Sequence, residues 1–251
     1  MYENYVFDLY GTLVDIHTDE ADPLVWEKMC LFCGYYGALY RPGELEQNYK
    51  DIVNQQEGML KDKLESQALY SHEAYPEIKI EQVFMELFRR KGIEAGMELS
   101  VHTGQFFRVL TTEYICLYDK VPKMLAGIKK MGKKIYLLSN AQRIFTEYEL
   151  NVLDIARYFD GILISSEYGT RKPDLRFFHI LFEKYGVDPK SSIMIGNDAA
   201  NDIAGAARAG MDTFYIHSNI SPECTEEPDA TYSVMEMDIP YVCKRLGIGL
   251  A

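Results

Sequence analysis

The chain has 251 residues, a formal net charge of −12 and an apolar fraction of 47%. This length and apolar content are enough for a large buried core, and they exclude wholesale disorder. The negative charge argues against a protein whose main partner is nucleic acid, although a lysine or a helix N-terminus can still bind a small phosphorylated molecule.

The sequence contains no apolar run that approaches the ~20 residues of a transmembrane helix, and no basic and apolar leader precedes the first strand. We therefore expect a cytoplasmic protein without membrane contact. The five cysteines are scattered and odd in number, unlike a secreted disulfide framework: Cys30, Cys33, Cys116, Cys224 and Cys243. Cys30 and Cys33 form a CxxC within an apolar helical pattern, which we interpret as packing.

The N-terminal part of the chain predicts one strand followed by helices. Residues 3–8 predict a short strand that ends at Asp8. From about Asp19 to Tyr118 the apolar spacing is helical, and we predict no strand there. The helical segments are 23–37, 43–70, 80–91 and 99–117, with breaks near Pro42 and Pro76. They predict a bundle of about four helices.

After Asp119 the sequence alternates between short apolar strands and helices. The predicted strands are 133–139, 161–165, 192–196, 213–217 and a short one near 230–234; the predicted helices are 121–131, one from about Arg143, 174–185, 200–209 and 238–246. This alternation predicts an α/β, doubly wound (Rossmann-like) parallel sheet with helices on both faces. We predict a core domain of residues 1–18 and 119–251, and an inserted α-helical cap domain of residues 19–118.

Polar residues gather at the carboxyl ends of the predicted strands, where ligands bind in sheets of this kind. They are Asp8, Ser139, Asn140, Lys172, Asn197, Asp198 and Asp202. Singly, each is explained as a helix cap or a surface charge. Their joint occurrence at one edge of the sheet predicts an active site.

Four stretches of sequence resemble the four ordered motifs of the haloacid dehalogenase superfamily. They are Asp8-Leu-Tyr-Gly-Thr12, Ser139-Asn140, Lys172-Pro173 and the run GNDAAND from Gly196 to Asp202. The resemblance covers residues 1–16 and about 119–235, and the helical insertion is similar to the family's cap in placement and size. It implies that Asp8 is a nucleophile and that Ser139 and Lys172 position the substrate. We expect Thr12 and Asn140 to contact the substrate as well.

The chemistry of these residues is consistent with a covalent mechanism. A carboxylate can attack phosphorus, or a carbon that bears a leaving group, and water then hydrolyses the intermediate. If Asp8, Asp198 and Asp202 converge, three negative charges face Lys172, and Mg²⁺ would restore neutrality. We therefore predict Mg²⁺ held by these three acids and, as the resemblance implies, by the backbone carbonyl of Tyr10. Asn197 is the alternative to Asp198 at the first acid of motif four.

Tyr10 is the departure from the phosphatases that the sequence resembles. Those enzymes carry a second aspartate at this position, which protonates the leaving group and then activates the water. A phenol with a pKa near ~10 is a poor base at neutral pH. The family's 2-haloacid dehalogenases are similar to this sequence in Asp-x-Tyr-Gly-Thr, and Arg41 is a candidate for binding their substrate carboxylate. The Lys-Pro-Asp context at 172–174 favours the phosphatases.

The sequence thus predicts a Mg²⁺-dependent phosphomonoesterase that acts on a small phosphorylated metabolite through an aspartyl-phosphate on Asp8. We expect a monomer or a homodimer with a small-molecule substrate. One alternative is a metal-independent 2-haloacid dehalogenase. Another is a binding or regulatory protein that keeps the fold with little turnover.

Overall fold

The computed structural model describes residues 2–67, 69–223 and 226–250, so Cys224 lies outside the described residues. Across these ranges no helix is both long enough and apolar enough to span a bilayer. The strands are β1 (Asn4–Phe7), β2 (Val14–Thr18), β3 (Thr112–Leu117), β4 (Lys134–Ser139), β5 (Gly161–Ile164), β6 (Ser192–Gly196), β7 (Asp212–Ile216) and β8 (Tyr232–Val234).

The helices follow the same chain order. They are α1 (Pro23–Tyr35), α2 (Pro42–Glu65), α3 (Ile80–Arg90), α4 (Met97–Thr111), α5 (Val121–Lys130), α6 (Arg143–Val152), α7 (Ser165–Tyr168), α8 (Leu175–Tyr185), α9 (Gly205–Arg208) and α10 (Ile239–Leu246). Short 3₁₀ turns cover Ala156–Tyr158 and Pro189–Ser191, and a π-helical turn covers Ala199–Ala204.

Six strands form one parallel sheet in the order β5-β4-β1-β6-β7-β8. Strand β1 is central, and Phe7 pairs with Leu137 on one side and Ile195 on the other. Successive side chains alternate between the faces, so Phe7 packs on the side of α5 and α10, and Val6 on the side of α8 and α9. The predicted doubly wound α/β sheet with helices on both faces is confirmed.

Helices α1–α4 pack around an aromatic cluster of their own. The Trp26 ring centroid lies 5.3 Å from that of Tyr49 and 5.6 Å from that of Phe107, and Phe84 completes the group. Cys33 is buried in this cluster, consistent with a packing role. The division of the chain into a core domain and a cap domain remains a prediction.

Residues 112–117 are a strand, and the predicted helix over 99–117 is wrong in this part. Helix α4 ends at Thr111, and β3 follows it directly. It pairs antiparallel with β2, which was also not predicted as a strand. Helical spacing continues across the junction without a glycine or proline, and the β2–β3 pairing joins segments almost one hundred residues apart in sequence. The ribbon connects the helical segment to the sheet.

Glu77 lies where the helical segment meets the sheet domain. Its carboxylate accepts hydrogen bonds from Ser165 Oγ at 2.9 Å and from Gln142 Nε2 at 2.8 Å. Burial raises the pKa of Glu77 to about 7. The buried carboxyl is therefore most compatible with the fold in its protonated form.

We predict that Glu77 makes stability depend on pH. The folded-state pKa of Glu77 lies above the ordinary value of 4.5. Its contribution to the free energy of unfolding is therefore complete below about pH 4.5 and is lost as the pH rises through about 7. From about pH 5 to about pH 8, the free energy of unfolding of the wild type should fall relative to Glu77→Gln, by on the order of 1–3 kcal/mol. Urea denaturation measures this difference, and a constant difference across the range would contradict the prediction.

Candidate active site

The candidate site lies at the point where the strand order reverses. From β1 the chain builds the sheet through β4 and β5 on one side, and then through β6, β7 and β8 on the other. A crevice forms at the carboxyl ends of the strands beside such a switch point. Asp8 directly follows β1 and Asn197 directly follows β6. The topology therefore brings the first and fourth sequence motifs together.

Lys172 is the centre of the site. Its Nζ lies 2.7 Å from Asp8 Oδ1 and 2.7 Å from Asp202 Oδ1. The lysine side chain is 1% exposed, and the two carboxylates are 11% and 2% exposed. One buried cation thus holds two carboxylates that reach it from β1 and from the turn after β6.

Burial and charge act on this cluster in opposite directions. Burial alone would lower the pKa of Lys172, but the two carboxylates outweigh it and hold the pKa above its ordinary value. Burial raises the pKa of Asp202 to about 7 against the opposing effect of Lys172, and the Asp8 charge adds to the increase. Lys172 therefore stays charged at neutral pH, and Asp202 takes up a proton more readily than an exposed aspartate.

Asp198 lines the same cavity as Asp8 and Asp202 but does not contact Lys172, so the convergence of the three acids on a metal ion remains a prediction. Its Oδ1 accepts hydrogen bonds from the backbone N–H groups of Ala200 and Asn201, both at 2.9 Å, and its Oδ2 accepts one from Asn201 Nδ2 at 2.6 Å. It is the N-cap of the π-helical turn. Asp202 Oδ2 accepts a hydrogen bond from the Asp198 N–H at 3.0 Å. Two carboxylates, not three, face Lys172.

Asn197 lies against the loop that carries the nucleophile candidate. It is buried, and its Oδ1 accepts a hydrogen bond from Thr12 Oγ1 at 3.3 Å. A Cβ at Gly11 would lie 2.2 Å from Asn197 Nδ2, and Gly11 has a φ of +84°. Only glycine combines this backbone conformation with this close approach. Of the two motif-four candidates, Asn197 is the one next to the Asp8 loop.

The remaining candidates occupy different roles around Lys172. Asn140 Nδ2 donates to the Lys172 carbonyl at 2.9 Å, and Asn140 Oδ1 accepts from the Lys172 N–H at 2.8 Å, so this side chain holds the backbone of the lysine. Thr12 is fully buried. Ser139 ends β4 and is also fully buried, and its Oγ has no hydrogen-bond partner among the described residues. Such an orphaned hydroxyl is the type of group that a substrate oxygen would satisfy.

Arg41 is not brought to the site. It is exposed and precedes the first turn of α2, a helix of 24 residues or roughly 36 Å. The opposite end of α2 contacts the sheet domain, where Arg176 Nη2 donates to the Leu64 carbonyl at 2.7 Å. The helix length therefore separates Arg41 from the core.

The Tyr10 hydroxyl forms hydrogen bonds with side chains of α6. It donates a short hydrogen bond to Glu149 Oε2, and its Oη lies 2.9 Å from Thr146 Oγ1. Burial, together with the Glu149 carboxylate, raises the pKa of Tyr10 above its ordinary value. The phenol therefore stays protonated at neutral pH and cannot act as a general base there. Glu149 and its partner Arg108 carry no motif, and sequence reasoning missed both.

A cavity of about 270 Å³ opens above Asp8. Ile220 and Pro222 are its apolar lining residues, and the other eight are aspartate, asparagine, lysine and tyrosine. No arginine is among the lining residues in the described part of the chain. Most of the residues that line the cavity therefore carry hydrogen-bonding side chains.

The donor chemistry of this cavity bears on the predicted Mg²⁺. Within the described ranges no group of three or more His, Cys, Asp or Glu is arranged to hold a metal ion, and Asp198 and Asp202 are committed to protein donors. Asp8 gives one oxygen to Lys172, which leaves Oδ2, and the Asn197 amide oxygen accepts a long hydrogen bond from Thr12 at 3.3 Å. Together with the Tyr10 carbonyl, they are candidate oxygen ligands beside the cavity. Mg²⁺ commonly binds through one or two carboxylates, waters and substrate phosphate, so this set fits a weakly held Mg²⁺.

The protein is thus an α/β protein whose candidate active site lies at the switch point of a parallel sheet. A family model described as "haloacid dehalogenase-like hydrolase" matches residues 2–210. The chain belongs to this family of hydrolases.

Known relatives include both phosphatases and dehalogenases. The chain is 30% identical to a phosphoserine phosphatase of Thermus thermophilus, in an alignment that covers 60% of this chain and less than two thirds, 58%, of that protein. It is 25% identical to an (S)-2-haloacid dehalogenase of Pseudomonas sp. strain YL, over 89% of this chain and 87% of that protein. A 2-haloacid dehalogenase structure from Pseudomonas syringae superposes with a TM-score of 0.63 at 18% identity, covering 98% and 100% of the two chains; this likeness shows the fold alone.

We predict that removing the Lys172 ammonium lowers the stability of the protein, and that a second substitution restores part of the lost stability. Lys172→Met leaves two buried carboxylates without their partner, so the free energy of unfolding should fall by about 3 kcal/mol at neutral pH. Adding Asp202→Asn removes one of these charges and should restore part of the loss. Urea denaturation of the single and double variants gives the comparison. A Lys172→Met variant as stable as the wild type would contradict the prediction.

Proposed function

We propose that the protein is a Mg²⁺-dependent phosphomonoester hydrolase that acts on a small phosphorylated metabolite, with Asp8 as the nucleophile. The observation that carries the proposal is the set of hydrogen-bonding residues that line the cavity above Asp8, with the Lys172 ammonium among them. A transferred phosphoryl group needs donors and charge around its oxygens, because its transition state is stabilised mainly by electrostatics and positioning.

In this proposal an Asp8 carboxylate oxygen forms a bond to phosphorus while the bond from phosphorus to the leaving-group oxygen breaks. Water then attacks the phosphorus of the aspartyl-phosphate and returns the free carboxylate. Lys172 orients Asp8 through its 2.7 Å contact, and Asn140 fixes the backbone of Lys172. Ser139, whose hydroxyl is fully buried, would donate to a phosphoryl oxygen once substrate binding gives access to it.

Mg²⁺ would be held by Asp8, the Tyr10 carbonyl and Asn197. When bound, it neutralises charge on the phosphoryl oxygens. The Tyr10 hydroxyl is engaged by Glu149, so the leaving group lacks the aspartic acid that relatives with a second aspartate use. Phosphate esters with acidic leaving groups, such as aryl phosphates, are therefore expected to react fastest.

A 2-haloacid dehalogenase is the second candidate, and one observation favours it. Lys172 pairs with both Asp8 and Asp202 and offsets one of their two negative charges without a metal ion, and a halide leaves without a proton. Against it, no arginine for a substrate carboxylate is found among the described residues that line the cavity, and Arg41 is at the far end of α2. We place the phosphatase first, and we further propose a cytoplasmic monomer or homodimer.

A substrate panel separates the candidates. We predict that phosphate is released from sugar, nucleotide and aryl monophosphates with Mg²⁺, that EDTA abolishes the release, and that Asp8→Asn lowers kcat by at least ~10³-fold because no covalent intermediate can form. Chloride release from a 2-chloroalkanoate in EDTA, with no phosphate release, would establish the dehalogenase instead. Ligand-induced stabilisation without any product would indicate a binding protein.

Asn197 and Asp198 provide a second test, in which binding is measured directly. Asn197→Asp adds a carboxylate beside Asp8 and is expected to tighten Mg²⁺ binding about tenfold, because Mg²⁺ prefers charged oxygen ligands. Asp198→Asn is the matched control and should leave the Mg²⁺ affinity unchanged. Calorimetric titration of each variant with MgCl₂ gives the affinities. Weaker binding in the Asp198→Asn variant, with no gain in Asn197→Asp, would return the ligand role to Asp198.

A further inference from the structure

The loop that carries Asp8 is tied to the rest of the molecule through Tyr10. Leu9 accepts three backbone hydrogen bonds, from the N–H groups of Thr12, Leu13 and Val14 at 3.3, 2.8 and 2.9 Å. The Gly11 N–H donates to the Val14 carbonyl at 2.7 Å. Residues 9–14 thus form a tight, internally bonded loop. A shift of Tyr10 is therefore expected to change the position of Asp8, two residues earlier in the chain.

The hydroxyl of Tyr10 is held by α6. It donates to Glu149 Oε2 and lies 2.9 Å from Thr146 Oγ1, one turn earlier on the same helix face. Glu149 is 8% exposed, so its carboxylate needs a partner of opposite charge. That partner comes from outside the sheet domain.

Arg108, on α4 of the helical segment, is the partner. Its Nε lies 2.7 Å from Glu149 Oε1, and its Nη2 lies 3.3 Å from Oε2. The guanidinium also lies 5.6 Å from the Tyr10 ring centroid and 5.3 Å from that of Phe145. This two-point contact fixes the orientation of the carboxylate that Tyr10 binds.

The contact requires a close approach of α4 to α6. A Cβ at Gly104 on α4 would lie 2.5 Å from Ile144 Cδ1 on α6 and 3.2 Å from Phe84 Cε2. The absence of a side chain at Gly104 therefore lets the two helices approach, one turn before Arg108. Gln105 Nε2 adds a hydrogen bond to the Ile144 carbonyl at 3.3 Å.

We propose that Glu149 and Arg108 are positioning residues, which fix Tyr10, and through it Asp8, while α4 is docked on α6. The inference rests on the proposed role of Asp8 as the nucleophile. A nucleophile that is misplaced by about 1 Å loses much of its rate, because the reacting atoms must meet in a near-attack geometry. Docking of the helical segment would then set the geometry of the attacking carboxylate.

The test compares kcat and KM in variants of this network. Glu149→Ala and Tyr10→Phe should each lower kcat by roughly 10- to 100-fold while KM changes less than about threefold. The double variant should be no slower than the slower single variant, because both changes remove the same contact. Glu149→Gln keeps an acceptor for Tyr10 and should retain more of kcat than Glu149→Ala.

Lys129→Ala is the matched control. Lys129 Nζ lies 2.7 Å from Asp160 Oδ2, a partly buried pair next to Ile135, at the amino end of the sheet away from Asp8. The Lys129→Ala substitution should lower the free energy of unfolding without changing kcat more than about twofold. A fall in kcat with Lys129→Ala equal to that with Glu149→Ala, or additive effects of Tyr10→Phe and Glu149→Ala, would overturn the inference.

Hydrogen–deuterium exchange of residues 9–14 gives a readout that needs no turnover. We expect faster exchange in Glu149→Ala and Tyr10→Phe than in the wild type and in Lys129→Ala. If the wild type hydrolyses no phosphate ester but shows this pattern, the proposed function fails and the positioning role stands. Unchanged exchange in Glu149→Ala would overturn the positioning role whatever the activity.

Discussion

The site depends on one buried ammonium group between two carboxylates. Lys172 is almost fully enclosed and contacts Asp8 and Asp202 at the same distance, 2.7 Å. A charge in such a place is tolerated only when it is paired. The sheet supplies the pairing, because its switch point brings the loop after β1 and the turn after β6 to the same crevice. Asn140 then holds the lysine backbone, so the cation has little freedom.

The same arrangement changes how the acids after β6 are understood. Asp198 serves the π-helical turn as its N-cap, and Asp202 serves Lys172. The first position of that motif is an amide, Asn197, next to the Asp8 loop. With one carboxylate left to face a metal ion, the site would depend on the substrate phosphate to complete a Mg²⁺ shell. Affinity for the metal and affinity for a phosphorylated substrate should therefore be coupled.

Much of the sheet and the centre of the site could be predicted from the sequence. The end of the first predicted strand placed Asp8 at the carboxyl edge, and the loop after the strand 161–165 placed Lys172 there, because the carboxyl ends of parallel strands lie on the same edge. The β2–β3 ribbon was missed because pairing between distant segments leaves no local signal. The roles of Asn197 and Asp198 could not be separated, because the two residues are adjacent and only the folded chain shows that Asp198 caps the turn while Asn197 meets Thr12. Glu149 and Arg108 are 41 residues apart and meet only through helix packing.

The central claim is that Asp8 attacks phosphorus. The most direct test is turnover of an aryl phosphate with Mg²⁺ in water enriched in a heavy oxygen isotope. The reaction is quenched with acid, and the peptides and the released phosphate are then analysed by mass spectrometry. The account predicts a phosphoryl group on the peptide that contains Asp8 and heavy oxygen in the released phosphate, because water attacks phosphorus. Turnover without that adduct, or heavy oxygen built into the Asp8 carboxylate itself, would contradict it.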